Sequence, residues 1–299
     1  MRNKMKKTLL LFVTVIFMTA TLFAQGKNQM KSVKLNSGYE MPLAGFGTWS
    51  LSDTEAENCT YEAIKAGCRL IDTAKYYGTE KGVGRGVRRA IEEGLVTREE
   101  IFVTSKVTPW GYSDYDKAIS ECNDAIGLGY IDLMLVHQQG SDEKKLYEAM
   151  ERSVQKGIVR SLGISNYYTE RDVKRVLSFA KIKPCVIQNE NHIFYQNNAL
   201  RDWCKSEDIV IESYYPLGGR GHTKGSLNNK TILEIARAHK KSAAQIILRW
   251  HLQSLYIAIP GSANAEHIRE NCAVWDFELT ADEMKMIGFL DTGRRYENW

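Results

Sequence analysis

Four side chains in this 299-residue sequence could together deliver a proton: Asp72, Tyr77, Lys106 and His137. A phenol alone is a poor acid near neutrality, because its pKa is roughly 10. An adjacent ammonium stabilises the phenolate and loosens the proton. Lys106 can supply the ammonium, and Asp72 can hold Lys106 in place and keep it charged. His137 can hydrogen-bond a carbonyl oxygen and orient it. Positioned acid–base groups of this kind contribute on the order of 10²–10⁴ in rate. Taken singly, each residue has a structural reading. A strand-end Asp caps a helix or joins an ion pair, and a strand-end Lys or His is more often structural than catalytic. The weight lies in the set and its local context.

These residues are far apart in sequence, so the fold must bring them together. Short apolar runs occur at Ala44–Thr48, Leu70–Asp72, Ile101–Lys106, Ile131–His137, Ser161–Ser165, Cys185–Asn189, Val210–Tyr214 and Tyr256–Pro260. Between them lie helical patterns such as Glu55–Ala66, Asp116–Ile126, Glu143–Lys156, Glu170–Ala180, Thr231–His239 and Ala243–Leu252. Strands buried on both faces read as continuous apolar runs. Eight β-α units at this length predict an α/β fold, a closed (β/α)8 TIM barrel, with a doubly wound open sheet as the alternative. Several runs end in a polar group: Asp72, Lys106, His137, Ser165-Asn166, Gln188 and Tyr214. A barrel opens every strand's C-terminal end onto one face, so these groups would converge there. Ahead of the barrel, Ser32 to Met41 reads as a hairpin turning at Asn36-Ser37-Gly38.

The first 24 residues do not belong to this fold. Arg2, Lys4, Lys6 and Lys7 precede an uncharged run from Leu9 to Ala24, which resembles a Sec-type signal peptide or an N-terminal anchor. The run is short for a membrane span, which needs about 20 apolar residues. A cleaved signal would place the protein in the periplasm or outside the cell. A start at Met30 would leave it cytoplasmic, and an uncleaved segment would tie it to a membrane. Without this segment, 36 Lys+Arg (40 less the four above) balance 36 Asp+Glu. The chain is then formally neutral, which removes support for a nucleic-acid partner. Six cysteines, at 59, 68, 122, 185, 204 and 272, form no Cys-x-x-Cys pair, so no metal site is expected. Buried free thiols are the plain reading, and a disulfide is conceivable in an exported chain. Gly82-Val-Gly84-Arg-Gly86 is mis-spaced for a dinucleotide-binding turn and opens a helix, so it reads as structural.

The local sequence around the four residues resembles a known family. Gly67-Cys-Arg-Leu-Ile-Asp72-Thr-Ala-Lys-Tyr-Tyr77-Gly-Thr-Glu80, running on to Val83-Gly84, is similar to the aldo-keto reductase signature. Gly45-Phe-Gly-Thr48-Trp49, Val103-Thr-Ser-Lys106, Ile131-Asp-Leu-Met-Leu-Val-His137, Gly157 to Asn166, Ser213 to Gly218 and Ile259-Pro260 follow in the family's order. The resemblance runs from about Met30 almost to the C-terminus. It includes bacterial members of the 2,5-diketo-D-gluconate reductase type. It implies hydride transfer from NADP(H) or NAD(H) to the carbonyl of a small aldehyde or ketone, with Tyr77, not Tyr76, as proton donor. The same resemblance gives Ser165, Asn166 and Gln188 to the nicotinamide carboxamide and Tyr214 to the nicotinamide ring. Leu217, Gly218 and Gly221 would wrap the pyrophosphate. Ser262, Glu270 and Asn271 would contact the adenosine end, and Thr48 would join the cofactor site. Trp49 and Trp110 would line the substrate pocket, with ordinary packing as their other reading. The implied assembly is a monomer.

The chain departs from the family in two places. The two cations that commonly hold a 2′-phosphate are replaced by Gly261 and His267. A Gly and a mostly neutral His grip a phosphate dianion poorly, so preference should be relaxed or shifted toward NAD(H). Gln138-Gln139-Gly140 replaces the usual residues after His137 and should shape the substrate mouth. The tail from Tyr296 to Trp299 either folds over the pocket or is disordered. Two other functions use the same sequence. A noncatalytic nicotinamide-nucleotide sensor would share the fold, although it has no need of all four reactive residues. A secreted barrel glycosidase needs two carboxylates about 5–9 Å apart. Glu190 and Glu212 are the evident pair, with helix caps or core ion pairs as their plainer role.

Overall fold

A computed structural model describes residues 32–297. The predicted signal or anchor over residues 1–24 lies outside the described residues, as do Asn298 and Trp299. A hairpin comes first, β1 (Ser32–Lys34) and β2 (Glu40–Pro42). Its turn reverses at Gly38, whose φ of 91° suits a residue without Cβ.

Eight parallel strands follow: β3 (Gly45–Gly47), β4 (Leu70–Asp72), β5 (Phe102–Val107), β6 (Ile131–Val136), β7 (Val159–Ser165), β8 (Val186–Glu190), β9 (Val210–Tyr214) and β10 (Ile257–Ala258). Each pairs with the next, and a parallel bridge between Ala44 and Ala258 joins the first to the last. Ala258 N–H donates to Leu43 O at 2.9 Å and Gly47 N–H to Pro260 O at 3.2 Å, which completes the closure. The barrel is closed, so the open-sheet alternative is set aside. The last run, expected over Tyr256–Pro260, is a strand only at Ile257–Ala258. Pro260 has no N–H to continue the ladder.

The helices are α1 (Asp53–Lys65), α2 (Glu80–Glu92), α3 (Tyr115–Ile126), α4 (Glu143–Gln155), α5 (Glu170–Leu177), α6 (Asn198–Ser206), α7 (Thr223–Leu227), α8 (Lys230–His239), α9 (Ala243–Gln253), α10 (Ala265–Cys272) and α11 (Ala281–Gly288). Their starts are written in the sequence. Ser52 and Glu55 close a capping box on α1, as do Ser242 and Gln245 on α9 and Thr280 and Glu283 on α11. Each box satisfies two backbone donors that the first turn leaves free. None of these helices is long and apolar enough to cross a membrane.

The barrel strands are buried or nearly so on both faces, yet the faces do different things. Ile71, Val103, Met134, Leu162, Ile187 and Ile211 pack outward against the helices. Leu70, Phe102, Leu133, Leu135 and Val186 point into the barrel, where Leu35 and Met41 of the hairpin region join them. Because side chains alternate, the next inward positions toward the C-terminal ends are Asp72, Lys106, Gln188 and Glu212. The lower half of the barrel is therefore apolar, and a polar layer lies above it. The cysteines at 59, 68, 122, 185 and 204 are buried thiols.

The glycines of α2 take a packing role, as expected from the sequence. A Cβ at Gly82 would lie 2.0 Å from Asp53 O, at Gly84 1.9 Å from Ile126 O, and at Gly86 2.5 Å from Glu57 O. They let α2 touch the backbones of α1 and α3. Gly84→Ala should therefore cost about 1–3 kcal/mol, the usual range for forced overpacking. Gly225→Ala, with nothing within 4 Å of its Cβ, is the control. Equal urea midpoints for the two variants would rule this packing role out.

Candidate active site

Asp72 and Gln188 of the polar layer line the floor of a cleft of about 1010 Å³ at the C-terminal end of the barrel. Just beneath that floor the Lys106 ammonium donates to both Asp72 oxygens, at 2.6 and 2.7 Å, and to Thr73 O at 2.9 Å. It also lies 3.5 Å from the Tyr77 hydroxyl. Lys106 is 0% exposed. Burial alone would push its pKa down, but the Asp72 carboxylate outweighs burial and holds it above the ordinary value. β4 and β5 present the two groups side by side, and the 3-10 turn Lys75–Tyr77 carries the phenol over them. That turn also separates two adjacent tyrosines, because Tyr76 is 71% exposed while Tyr77 faces the ion pair.

Burial raises the Tyr77 pKa to about 12, and the lowering by Lys106 only partly offsets it. The sequence argument expected Lys106 to dominate. In the structure, desolvation and the Asp72 charge win, and Tyr77 holds its proton at neutral pH. His137 follows β6, with its ring 5.4 Å from that of Tyr77. Burial and Lys106 depress its pKa to about 3, so the imidazole is neutral. Its Nδ1 is buried without a hydrogen-bond partner. A bare acceptor there costs less than an unpaired N–H, which assigns the proton to Nε2.

Gln188 links the floor to the far wall. Its amide nitrogen donates to Asp72 Oδ2 at 2.7 Å and to Glu212 Oε2 at 2.8 Å. With both amide hydrogens committed, its carbonyl oxygen is the group it can offer to the cleft. Asn166, at φ 68°, donates to His137 O and accepts from Tyr214 and Tyr168 hydroxyls. Ser165, Asn166, Gln188 and Tyr214 thus share one stretch of wall.

Of the other expected residues, Trp49, Trp110, Leu217, Gly221 and Ser262 line the cleft. Thr48 does not. Its hydroxyl is buried against Asp72 O, at 2.9 Å, and Thr79 Oγ1, at 3.0 Å, so it supports the floor. Gly218, Glu270 and Asn271 are also absent from the wall, the last two lying on α10. Glu190 and Glu212 are buried and line no part of the cleft, which leaves the glycosidase reading without its carboxylate pair.

The sequence missed part of the rim. Tyr215 lines the cleft, and its hydroxyl accepts from Trp49 Nε1 at 3.0 Å. Arg220 reaches across the mouth to Ser50 Oγ at 2.6 Å, and it is the one Lys or Arg on the cleft wall among the described residues. Gly140 packs under Trp110, since a Cβ there would meet Pro109 Cγ at 2.7 Å and the Trp110 ring at 3.1 Å. The described part of the tail is ordered beside the mouth. Buried Glu190 accepts the backbone N–H groups of Tyr296 and Glu297, at 2.6 and 3.0 Å. The Tyr296 ring stacks between His192 and His222, at 4.5 and 3.7 Å.

Comparison with known proteins gives this arrangement a context. The profile of the aldo/keto reductase family matches residues 43–291. The chain is 37% identical to the NAD(P)H-dependent D-xylose reductase I,II of Candida tropicalis, over 89% of this chain and 94% of that protein. It is 38% identical to the glyoxal reductase of Bacillus subtilis, over 88% and 94%. Among solved structures, an aldo-keto reductase from a Medee basin deep-sea metagenome library superposes with a TM-score of 0.83 at 37% identity. That match covers 89% of this chain and 97% of the other.

Two buried neutral histidines should make the protein acid-sensitive. His137 and His251 both have pKa values depressed to about 3 by burial. The unfolded chain binds their protons near 6.5 and the folded chain does not, so stability is complete above pH 6.5 and falls as pH drops toward 3. By pH 4.5 each should cost on the order of 2–3 kcal/mol. The urea midpoint should fall between pH 7 and 4.5, and fall less in a His137→Gln/His251→Gln double variant. Equal falls in both proteins would exclude this origin.

Proposed function

The chain belongs to the aldo/keto reductase family and is an NAD(P)H-dependent oxidoreductase of small carbonyl compounds; from that premise we propose that Tyr77 is the proton donor. The observation that carries this assignment is the buried Lys106 ammonium, fixed by Asp72 and facing the Tyr77 hydroxyl on the cleft floor. When bound, the nicotinamide supplies a hydride to the carbonyl carbon. Tyr77 gives its proton to the carbonyl oxygen, and Lys106 steadies the phenolate that remains. Asp72 keeps Lys106 charged and correctly placed. Neutral His137 offers Nε2–H to the same oxygen and orients it.

The residues present fit a dinucleotide. Ser165, Asn166 and the Gln188 carbonyl oxygen form a polar patch for the carboxamide, with Tyr214 beside them as the stacking ring. Leu217 to Gly221 forms the diphosphate loop. Gly218, Gly219 and Gly221 all have positive φ, so the backbone can approach a ligand without Cβ atoms in the way. Ser262 takes the adenosine end, with Glu270 and Asn271 on the helix that follows. Trp49 and Trp110 flank the substrate, and Gln138 shapes the mouth with them.

Cofactor preference is relaxed or shifted toward NAD(H). Gly261 lines the cleft without a charge, and His267 is exposed on α10. Arg269 is engaged with Glu62 at 3.7 Å. The name of the Candida relative, NAD(P)H-dependent, describes dual use in that protein.

The test is loss of nicotinamide absorbance by the full chain with NADPH and NADH in turn. Glyoxal and D-xylose, the carbonyls in the relatives' names, head the substrate panel. Tyr77→Phe should lower kcat by about 10³-fold while cofactor affinity, read by fluorescence, stays within about threefold. Binding without turnover in the unaltered chain would promote the sensor reading, and no binding would sink both. NADPH binding ten or more times tighter than NADH would refute the relaxed preference.

A further inference from the structure

The mechanism above leaves unused a buried acid that lies beside the ion pair. Glu212 is 0% exposed and sits in the same polar layer as the catalytic ion pair. The strands on either side of it present Gln188 and Ile257 in register, neither of them charged. The charged groups that act on it are Asp72 from β4 and Lys106 from β5. Lys106 spends its hydrogens on Asp72, Thr73 O and the Tyr77 hydroxyl, and none goes to Glu212. Glu212 therefore has no cation of its own. Its one hydrogen bond comes from the Gln188 amide, which is shared with Asp72. Its other oxygen, Oε1, is buried and makes no hydrogen bond.

This arrangement determines where the proton sits. Asp72 and Lys106 already form a neutral pair. An ionised Glu212 would add a third, uncompensated charge to a dry interior, which is strongly disfavoured. Oε2 accepts from Gln188, so Oε1 is the oxygen free to carry a proton. Burial and the nearby Asp72 charge accordingly raise the Glu212 pKa to about 8.

We propose that Glu212 is a positioning residue whose buried, proton-bearing carboxyl keeps the Asp72–Lys106–Tyr77 cluster electrically neutral and so sets how easily Tyr77 gives up its proton. The inference rests on the reading of Tyr77 as proton donor. While Glu212 keeps its proton, Tyr77 faces one cation and one anion. When Glu212 ionises, the cluster gains a net negative charge, which works against forming a phenolate at Tyr77. Carbonyl reduction needs that phenolate to form as the proton leaves. Reduction should therefore slow as pH rises through the ionisation of Glu212, and Gln188 carries the same change to the group it offers the cleft.

Two measurements test this on the full chain. The first is infrared spectroscopy of protein labelled with ¹³C-glutamate. The unaltered chain should show a protonated-carboxyl C=O band at pH 7 that disappears with a midpoint near 8 and is missing from Glu212→Gln. No such band at pH 7 would overturn the proposal, and this result does not depend on how the variant folds. The second is the pH profile of kcat/KM with NADPH and whichever aldehyde turns over. The unaltered enzyme should lose about fivefold between pH 7 and 9.5, the order expected for one unit charge nearby in a protein interior. Glu212→Gln should be flat to at least pH 9. Superimposable profiles would overturn the proposal. If Tyr77→Phe keeps full turnover, the proton-donor reading fails by itself, and the infrared result still reports on Glu212.

Discussion

A single ammonium held inside a closed barrel is the constraint on which the rest depends. Lys106 has no exposure, and moving such an ion out of water costs several kcal/mol even after relaxation. It persists because Asp72 meets it with both oxygens and the Thr73 carbonyl takes a further hydrogen. Asp72 is in turn held by Gln188 from the other side of the barrel. Removing Asp72 would leave the Lys106 charge without compensation in a medium where Coulomb forces are strong. The apolar layer of Leu70, Phe102, Leu133, Leu135 and Val186 below keeps that medium dry. Barrel closure thus serves the chemistry as well as the fold, because it fixes one phenol against one cation and excludes water from beneath them.

The mouth is built on another principle. The floor comes from strands, whose register is fixed by hydrogen bonds, and the rim comes from loops tied together by side chains. Arg220 bonds Ser50, Trp49 bonds Tyr215, and the tail is drawn in by Glu190 and by the Tyr296 stack. A rigid scaffold with a loop-built entrance is the usual division between chemistry and selectivity in such barrels. Buried Glu190 shows how firmly the rim is anchored. Its carboxylate organises the chain end by accepting two backbone N–H groups, and that role has nothing to do with hydrolysis.

Much of this was legible in the sequence. The eight apolar runs correspond to the eight strands, and Asp72, Tyr77, Lys106, His137, Ser165, Asn166, Gln188 and Tyr214 all meet at one end of the barrel. Runs buried on both faces announce parallel strands regardless of detail. Helices were less complete. α6 follows Asn197, whose left-handed conformation makes no side-chain cap, so the start signal in the sequence is not the contact that the fold uses. α11 did carry one, the Thr280–Glu283 capping box. The ties across the rim were illegible because no motif links the residues that make them. Arg220 and Ser50 are 170 positions apart, and only the folded loops bring them into contact. Thr48 illustrates the reverse case. It belongs to a recognisable stretch of sequence, yet its hydroxyl is fully used beneath the cleft.

The sequence by itself determined the barrel, the strand ends that face the cleft and the kinds of polar group gathered there. Side-chain periodicity and residue type are local properties, and local properties survive in a linear string. Tertiary structure alone decided the charge state of the site. Tyr77 keeps its proton, His137 is neutral and Glu212 is an acid near pH 8, because each is desolvated by groups that approach from distant strands. Desolvation and through-space charge depend on which atoms surround a group in three dimensions, and sequence spacing does not encode those distances.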